Sequence, residues 1–371
     1  MIKTKDIPRD SDSITPEWLT AALRSSGTIG EANVHSITSI RIGEDESFTG
    51  GALLLLEIGY DAVEQGAPTS LVAKMASPDP DMRLLMKNAN GREALFYTKF
   101  AAQDNLPIPG CYYSDFNAET GAFILLLEDL SHFQAVGYID GCGPNDVISV
   151  VRALAKFHSY WWGSPQLEDM GGTSILAEFP FNELWAQYPQ KVSELLPDII
   201  IPETFIAMGQ YIAANELSIF NRLMETGPIT CIHRDISVDN ILFNRQSESI
   251  PAILLDWQIV GKGRGAYDVA FFLIGSVPSE QRRETERNLL QIYHSDLLQY
   301  GVKDYSFDQC WLDYRLAAIG KLFITVTATV LMDNSTPHKR DWRKADLQRL
   351  LAFCQDHSVD ELVSSIENER A

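Results

Sequence analysis

The stretch CIHRDISVDNILFN begins at Cys231 and sets His233, Arg234, Asp235, Asp239 and Asn240 within eight residues; ILLDWQ, beginning at Ile253, adds Asp256. Between them, ILF at 241–243 and AILLD at 252–256 are short, apolar and β-prone, and the turn-rich NRQSESIP separates them. That pattern predicts a hairpin. A hairpin brings its outer ends together, so Asn240 and Asp256 are expected side by side. A carboxylate and an amide oxygen at that separation can hold a hard divalent cation such as Mg²⁺. Asp235 lies five residues before Asn240, across a loop, where it could accept a proton from a hydroxyl. Each of the three alone reads as a turn or cap residue. The combined spacing, His-x-Asp-x-x-x-x-Asn followed by a hairpin ending in Asp, is what sets them apart.

Residues of this kind need a scaffold. The chain has 371 residues, 45% of them hydrophobic, which is ample for two lobes or domains. Its net charge of −20 repels phosphate backbones and anionic bilayers, so nucleic acid and membranes are poor partners. A cationic or neutral small molecule suits that field better. Five cysteines are widely spaced with no CxxC, which points neither to a disulfide framework nor to a zinc site. Scattered thiols and an opening MIKTKDIPRD without an apolar core lead us to expect a cytoplasmic chain. The runs ALLLLEIGY and AFILLLEDL are broken by acids and read as buried strands rather than membrane spans.

SITPEWLTAALRSSG predicts an opening helix, with Thr15 as N-cap and Pro16 at its first position. Strands are expected in VHSITSIRIG, ALLLLEIGY and SLVAKMAS, the last carrying Lys74. GREALFYTKFAAQ reads as a helix with Glu93 in its first turns. PIPGCYYSDF and GAFILLLEDLSH supply two more strands. From about 145 the text turns helical, with Val147, Val151, Leu154, Phe157 and Trp161 at helical intervals. The predicted class is α+β: a β-rich N-terminal lobe over 1–130 and a larger, mostly helical lobe over 131–371.

HRDISVDN resembles the catalytic loop of the protein-kinase-like superfamily, H-R-D-x-x-x-x-N. More closely, it is similar to that of the aminoglycoside/choline phosphotransferase family of small-molecule kinases, and within it to the ecdysteroid-kinase-like group. LLLEDL resembles that family's connection between lobes, and ILLDWQ its metal-binding strand end. The resemblance runs from about Ile14 to Gly275 and is most specific over 231–270. It implies the two-lobed protein-kinase-like fold, ATP and Mg as cofactors, and a small hydroxyl-bearing molecule as acceptor. It implies Asp235 as catalytic base, Asn240 and Asp256 as metal ligands, and Lys74 as the strand lysine on the α- and β-phosphates. Glu93 would pair with Lys74, and the backbone of Glu128, Asp129 and Leu130 would meet the adenine edge. His233 would pack beneath the catalytic loop and Asp268 would brace it. Left to themselves, Lys74 reads as a snorkelling strand lysine, Glu93 as a solvated helix residue and Asp268 as an N-cap.

RIGEDESFTGG, between the first two strands, is expected to cover phosphates with Gly43, Ser47, Phe48 and Thr49, although it lacks G-x-G-x-x-G and carries three acids. No G-x-x-x-x-G-K-[ST] occurs, so a P-loop enzyme is not supported. Gln258 stands where many relatives have an acid, which bears on a second metal position. Only eleven residues separate Asp256 from Asp268 and no A-P-E follows, which disfavours a peptide substrate. Tyr160, Trp161, Trp162, Trp185, Trp311 and Tyr314 are candidates for an acceptor pocket, with core packing as the plainer role of each. An inactive kinase-like binding protein and a metal-dependent hydrolase are the competing classes. The oligomeric state is left open.

Overall fold

The structure, a computed structural model, describes residues 6–42, 51–101, 105–170, 180–216, 218–219, 227–245 and 252–368. The chain divides into two compact units, Met1–Phe133 with Leu255–Gln258, and Gln134–Leu254 with Ile259–Ala371. The first is β-rich and the second largely helical, the α+β architecture expected of a two-lobed protein-kinase-like fold.

In the first unit, β1 (Val34–Ile42), β2 (Ala52–Tyr60), β3 (Ser70–Met75), β4 (Cys111–Phe116) and β5 (Phe123–Glu128) form one antiparallel sheet in the order β1-β2-β3-β5-β4. The register pairs Lys74 with Leu53 on one side and with Leu125 on the other. Helix α1 (Pro16–Ser25) begins as predicted: the Thr15 hydroxyl accepts from the Trp18 N–H at 3.2 Å, with Pro16 at the first position. Its Leu19, Ala22 and Leu23 are buried in one cluster with Leu54, Leu56, Leu71, Ala73, Met75 and Leu126. Each large side chain so buried contributes about 1.5–3 kcal/mol. Two further helices, α2 (Pro80–Leu85) and α3 (Lys87–Leu95), follow β3; α3 continues into a wider π-helical turn at Phe96–Phe100.

The second unit starts from α4 (Pro144–Trp161), whose Val147, Val151, Leu154, Phe157 and Trp161 are all buried. Then come α5 (Phe181–Leu195) and α6 (Glu203–Ala214). Short strands follow: β6 (Thr230–Ile232), β7 (Ile241–Phe243), β8 (Ala252–Leu254) and β9 (Gly261–Gly263). β7 and β8 form the predicted hairpin, with Ile241 opposite Leu254; β6 pairs antiparallel with β9, a pairing the sequence did not announce. Helix α7 (Ala266–Ser276) is buried at every residue, as an element apolar all round must be. Around it stand α8 (Ser279–Gln299), α9 (Phe307–Leu316), α10 (Ala318–Leu331) and α11 (Pro337–Asp356), and α12 (Val359–Asn368) packs on α6, α9 and α11.

In the second unit, Phe307–Leu331 is long and apolar enough to cross a membrane by length and composition alone. Its most apolar window is 67% buried inside the protein. The run is two consecutive helices, α9 and α10, joined at Ala317.

Candidate functional site

The N-terminal unit gathers three of the predicted residues. Period-two alternation along β3 turns Leu71, Ala73 and Met75 toward the core that α1 covers and sends Lys74 to the other face. Glu93 is on the buried side of α3. Lys74 Nζ lies 2.8 Å from each carboxylate oxygen of Glu93 and 3.0 Å from Oδ1 of Asp256. Glu93 is 1% exposed and the Asp256 side chain 41%. Burial pulls the Lys74 ammonium toward neutrality, but the carboxylates of Asp256 and Glu93 outweigh it and keep its pKa raised. Burial pushes the Glu93 carboxyl up to about 7; Lys74 pulls it back and Asp256 adds to the rise. Lys74 is neither a snorkelling strand lysine nor is Glu93 a solvated helix residue.

The four residues Leu255–Gln258 belong to this unit for reasons the structure makes plain. The Trp257 N–H donates to Glu93 Oε1 at 3.3 Å, and its ring stacks on Phe96 with centroids 4.0 Å apart and planes at 10°. The Gln258 carbonyl accepts from Arg92 Nε at 3.0 Å, and its amide donates to Asn90 Oδ1 at 3.4 Å. Gln258 is thus a packed amide on α3. Asp256 sits at φ +63°, in the left-handed region that non-glycine residues seldom adopt.

The connection after β5 is tied down by side chains. Glu128 donates its N–H to the Gly110 carbonyl at 2.8 Å and accepts the Gly110 N–H on Oε2 at 3.1 Å. Asp129 accepts from the Ser70 hydroxyl at 2.6 Å and the Ser131 N–H at 2.9 Å. Burial acts to raise the Asp129 carboxyl, but those bonds hold it below its ordinary value. Leu130 is buried. Gly43, Ser47, Phe48 and Thr49 lie outside the described residues.

The helical unit gathers the rest. After β6 the chain turns sharply at Arg234, with φ +72°. The fully buried Asp268, on the first turn of α7, accepts the N–H of His233 at 2.6 Å and of Arg234 at 2.9 Å. Its side chain therefore holds the loop 233–235. Helix α7 has Gly265 as N-cap and no capping side chain, so Asp268 is not its cap. The His233 ring is buried, and its Nδ1 accepts the Asp235 N–H at 3.3 Å. Asn240 Nδ2 donates to the Asp235 carbonyl at 2.9 Å, which orients the amide. The Ser276 hydroxyl accepts the Val238 N–H at 2.9 Å. Asp235, His233, Asn240 and Asp268 form one hydrogen-bonded loop with half-buried Asp235 at its centre.

Sequence reasoning missed three residues here. His158, on α4, is buried between Asp268 Oδ2 at 3.2 Å and the Tyr293 hydroxyl at 2.8 Å. Its only signal was a histidine on the apolar stripe of a helix, which more often marks core. Trp342, on α11, donates from Nε1 to Asp239 Oδ2 at 3.0 Å, and the Arg343 guanidinium lies 4.5 Å above the Trp342 ring. Both follow the loop by about a hundred residues, so no local pattern could link them. The predicted aromatics are mostly packing. Trp161, Trp185 and Tyr314 are buried; Trp162 lies against Tyr305; Trp311 stacks on Tyr314. Tyr160 is exposed, at 48%.

The fold is protein-kinase-like, and it resembles that of two solved kinases. Plasmodium vivax ethanolamine kinase superposes with a TM-score of 0.51 at 14% identity, covering 95% of this chain and 91% of that one. Choline kinase from Cryptosporidium parvum gives 0.51 at 13% identity, covering 95% and 97%. An uncharacterized kinase-like protein of Caenorhabditis elegans is 24% identical over 245 residues, and the chain spans 64% of that relative's length. Residues 73–356 match the DUF1679 family, described as "Uncharacterized oxidoreductase dhs-27", and the chain belongs to this family. The oxidoreductase wording concerns the protein it names. Here Gly261, Gly263 and Ala266 do have the spacing G-x-G-x-x-A, but β9 pairs antiparallel with β6. A dinucleotide fold places that motif after a strand of a parallel sheet.

Proposed function

We propose that this chain is an ATP-dependent phosphotransferase that moves the γ-phosphoryl group of MgATP onto a hydroxyl of a small molecule. The observation that carries the reading is the ammonium of Lys74 clamped by Glu93 and Asp256. A cation so held is preorganised for phosphate oxygens, and phosphoryl transfer depends mostly on positioning and charge stabilisation.

In this reading Lys74 contacts the α- and β-phosphates, Glu93 fixes its stem, and the backbone of Glu128–Leu130 meets the adenine. Asp256 and Asn240 hold magnesium. Their donor set fits a hard cation: Asp256 is a half-exposed carboxylate, and Asn240 spends its N–H on the Asp235 carbonyl. Bound magnesium supplies charge neutralisation on the phosphates. Asp235 orients the acceptor hydroxyl. The hydroxyl oxygen bonds to the γ-phosphorus as the bond to the β–γ bridging oxygen breaks; the hydroxyl proton passes to Asp235 and ADP leaves. His233 and Asp268 keep Asp235 in place. Cytoplasmic residence and a resemblance to the ecdysteroid-kinase-like group belong to the same reading. So does the absence of nucleic-acid and membrane partners. All five cysteines are free, which suits a reducing compartment.

The test is ADP formation from MgATP across sterols, choline, aminoglycosides, macrolides and sugars. Acceptor-dependent turnover supports the phosphotransferase. Tight MgATP binding without turnover favours an inactive kinase-like binder. Failure to bind MgATP overturns the reading.

A further inference from the structure

Helix α11 lies far along the chain from the proposed catalytic loop and reaches back to it. Residues Val238–Asn240 form one tight 3₁₀ turn, and three bonds hold it. The Val238 N–H donates to the Ser276 hydroxyl at 2.9 Å, and the Asn240 amide donates to the Asp235 carbonyl at 2.9 Å. Between them Asp239, an exposed residue, accepts on Oδ2 from Trp342 Nε1 at 3.0 Å. A hydrogen bond to an exposed carboxylate ordinarily adds little, because water competes for the same oxygen. Here the donor is held in place before the bond is made. The Tyr138 ring stacks on Trp342, with centroids 4.2 Å apart and planes at 24°, and the Arg343 guanidinium lies 4.5 Å over the Trp342 ring. Tyr138 is itself anchored to α11: its hydroxyl donates to buried Asp346, and its carbonyl accepts from Arg349 Nη1 at 3.1 Å. Asp346 in turn pairs with buried Lys321 of α10 at 2.7 Å. Arg349 also donates to the carbonyls of Ile139, at 2.9 Å, and of Gly275, one residue before the Ser276 that holds Val238. Two supports of the turn, Ser276 and Trp342, are therefore tied to one helix.

We infer that Trp342 is a positioning residue: through Asp239 it fixes the turn Val238–Asn240, and with it the Asn240 amide oxygen that is the proposed magnesium ligand. The bond from Asn240 Nδ2 to Asp235 sets how the amide is turned. The bond at Asp239 sets the backbone that carries it. The inference rests on the phosphotransferase reading and deepens it, because it makes α11 a determinant of metal affinity. Partners that orient a metal ligand without touching the metal change metal affinity by about 10–100-fold.

The test uses the full chain with ADP and with Mn²⁺ as the probe for magnesium. Free Mn²⁺ is read by its electron paramagnetic resonance signal, so no turnover is needed. Trp342→Phe keeps a ring against Tyr138 and removes the N–H. We expect it to weaken Mn²⁺ binding about ten-fold, the lower end of that range, and to leave ADP affinity measured without metal unchanged. Asp239→Ala should weaken Mn²⁺ binding to the same extent, and the double variant no further than either single one, as for two residues that act through one bond. Asp239→Asn keeps an acceptor oxygen and drops the charge, so it should bind Mn²⁺ more tightly than Asp239→Ala. Wild-type Mn²⁺ affinity in Trp342→Phe, a matching loss of ADP affinity, or effects that add in the double variant would overturn the positioning role. So would equal weakening in the Asn and Ala variants, since the carboxylate would then act on the metal through its charge. Asp239→Ala and Asp239→Asn decide the matter if Trp342→Phe does not fold. Titration of the wild type with MgATP runs beside these; its failure would overturn the phosphotransferase reading and this role with it, whereas the results above concern the role alone.

Discussion

Asp268→Asn isolates the brace beneath the proposed catalytic loop. The change keeps shape and removes one acceptor. Asp268 Oδ2 serves the His233 N–H at 2.6 Å and faces His158 Nε2 at 3.2 Å, while Oδ1 serves the Arg234 N–H at 2.9 Å. An amide has one oxygen. Whichever way it turns, its NH₂ meets a backbone N–H in a fully buried place. One unsatisfied N–H costs about 1–3 kcal/mol, and loss of charge on the surviving bond costs about 1 kcal/mol more, so about 2–4 kcal/mol in sum. Arg234 sits at φ +72° and depends on that bond, so the loop should also shift. A displacement of about 1 Å at a reacting group costs about a hundred-fold in rate. Urea unfolding of the variant should therefore show a lowered midpoint with unchanged slope, and acceptor-dependent ADP formation should fall about a hundred-fold. An unfolding free energy within about 0.5 kcal/mol of wild type, the scatter of ordinary surface changes, would refute the bracing argument.

Lys74→Met should abolish MgATP-dependent turnover and, near pH 8, destabilise the fold by about 3–5 kcal/mol, since it leaves buried Glu93 without its cation. The sign with pH follows from the raised Glu93 value, already about 7 against an ordinary 4.5. A carboxyl raised by folding contributes its stability fully below the unfolded value and loses it as pH rises through the folded one. The variant's deficit should therefore shrink toward pH 5, and urea midpoints across that range check it. Asp346→Asn should cost about 3–5 kcal/mol at neutral pH by stranding Lys321. Burial acts to raise the Asp346 carboxyl, yet Lys321, Tyr138 and Thr325 hold it below 3.8. Its contribution is complete above that value and lost as pH falls through the lowered one, so the acid limb of wild-type unfolding should be absent in the variant.

Local pattern carried much of this. The Thr15–Pro16 helix start, the strand with Lys74, the stripe of α4 and the β7–β8 hairpin follow from capping, alternation and periodicity, which act over a few residues. HRDISVDN was legible because its residue types and spacing are all local. The rest depends on long-range encounter. That Lys74 meets Glu93, that Asp256 joins both, and that Leu255–Gln258 packs with the first unit through Trp257 on Phe96 all require the folded chain. Nothing local tied His158 and Trp342 to the loop, because their partners Asp268 and Asp239 lie about a hundred residues away in the chain. Gln258 stands where many relatives have an acid, and only the folded chain brings its amide against Asn90 of α3.

The most direct measurement is ADP formation from MgATP by wild type and Asp235→Asn, with the acceptor that gives the greatest turnover in the panel and with MgATP affinity measured for both. The account predicts equal MgATP affinity and a rate lowered by about a hundred-fold or more in the variant, the scale of losing a positioned base. Wild-type rates in Asp235→Asn, with MgATP still bound, would contradict it.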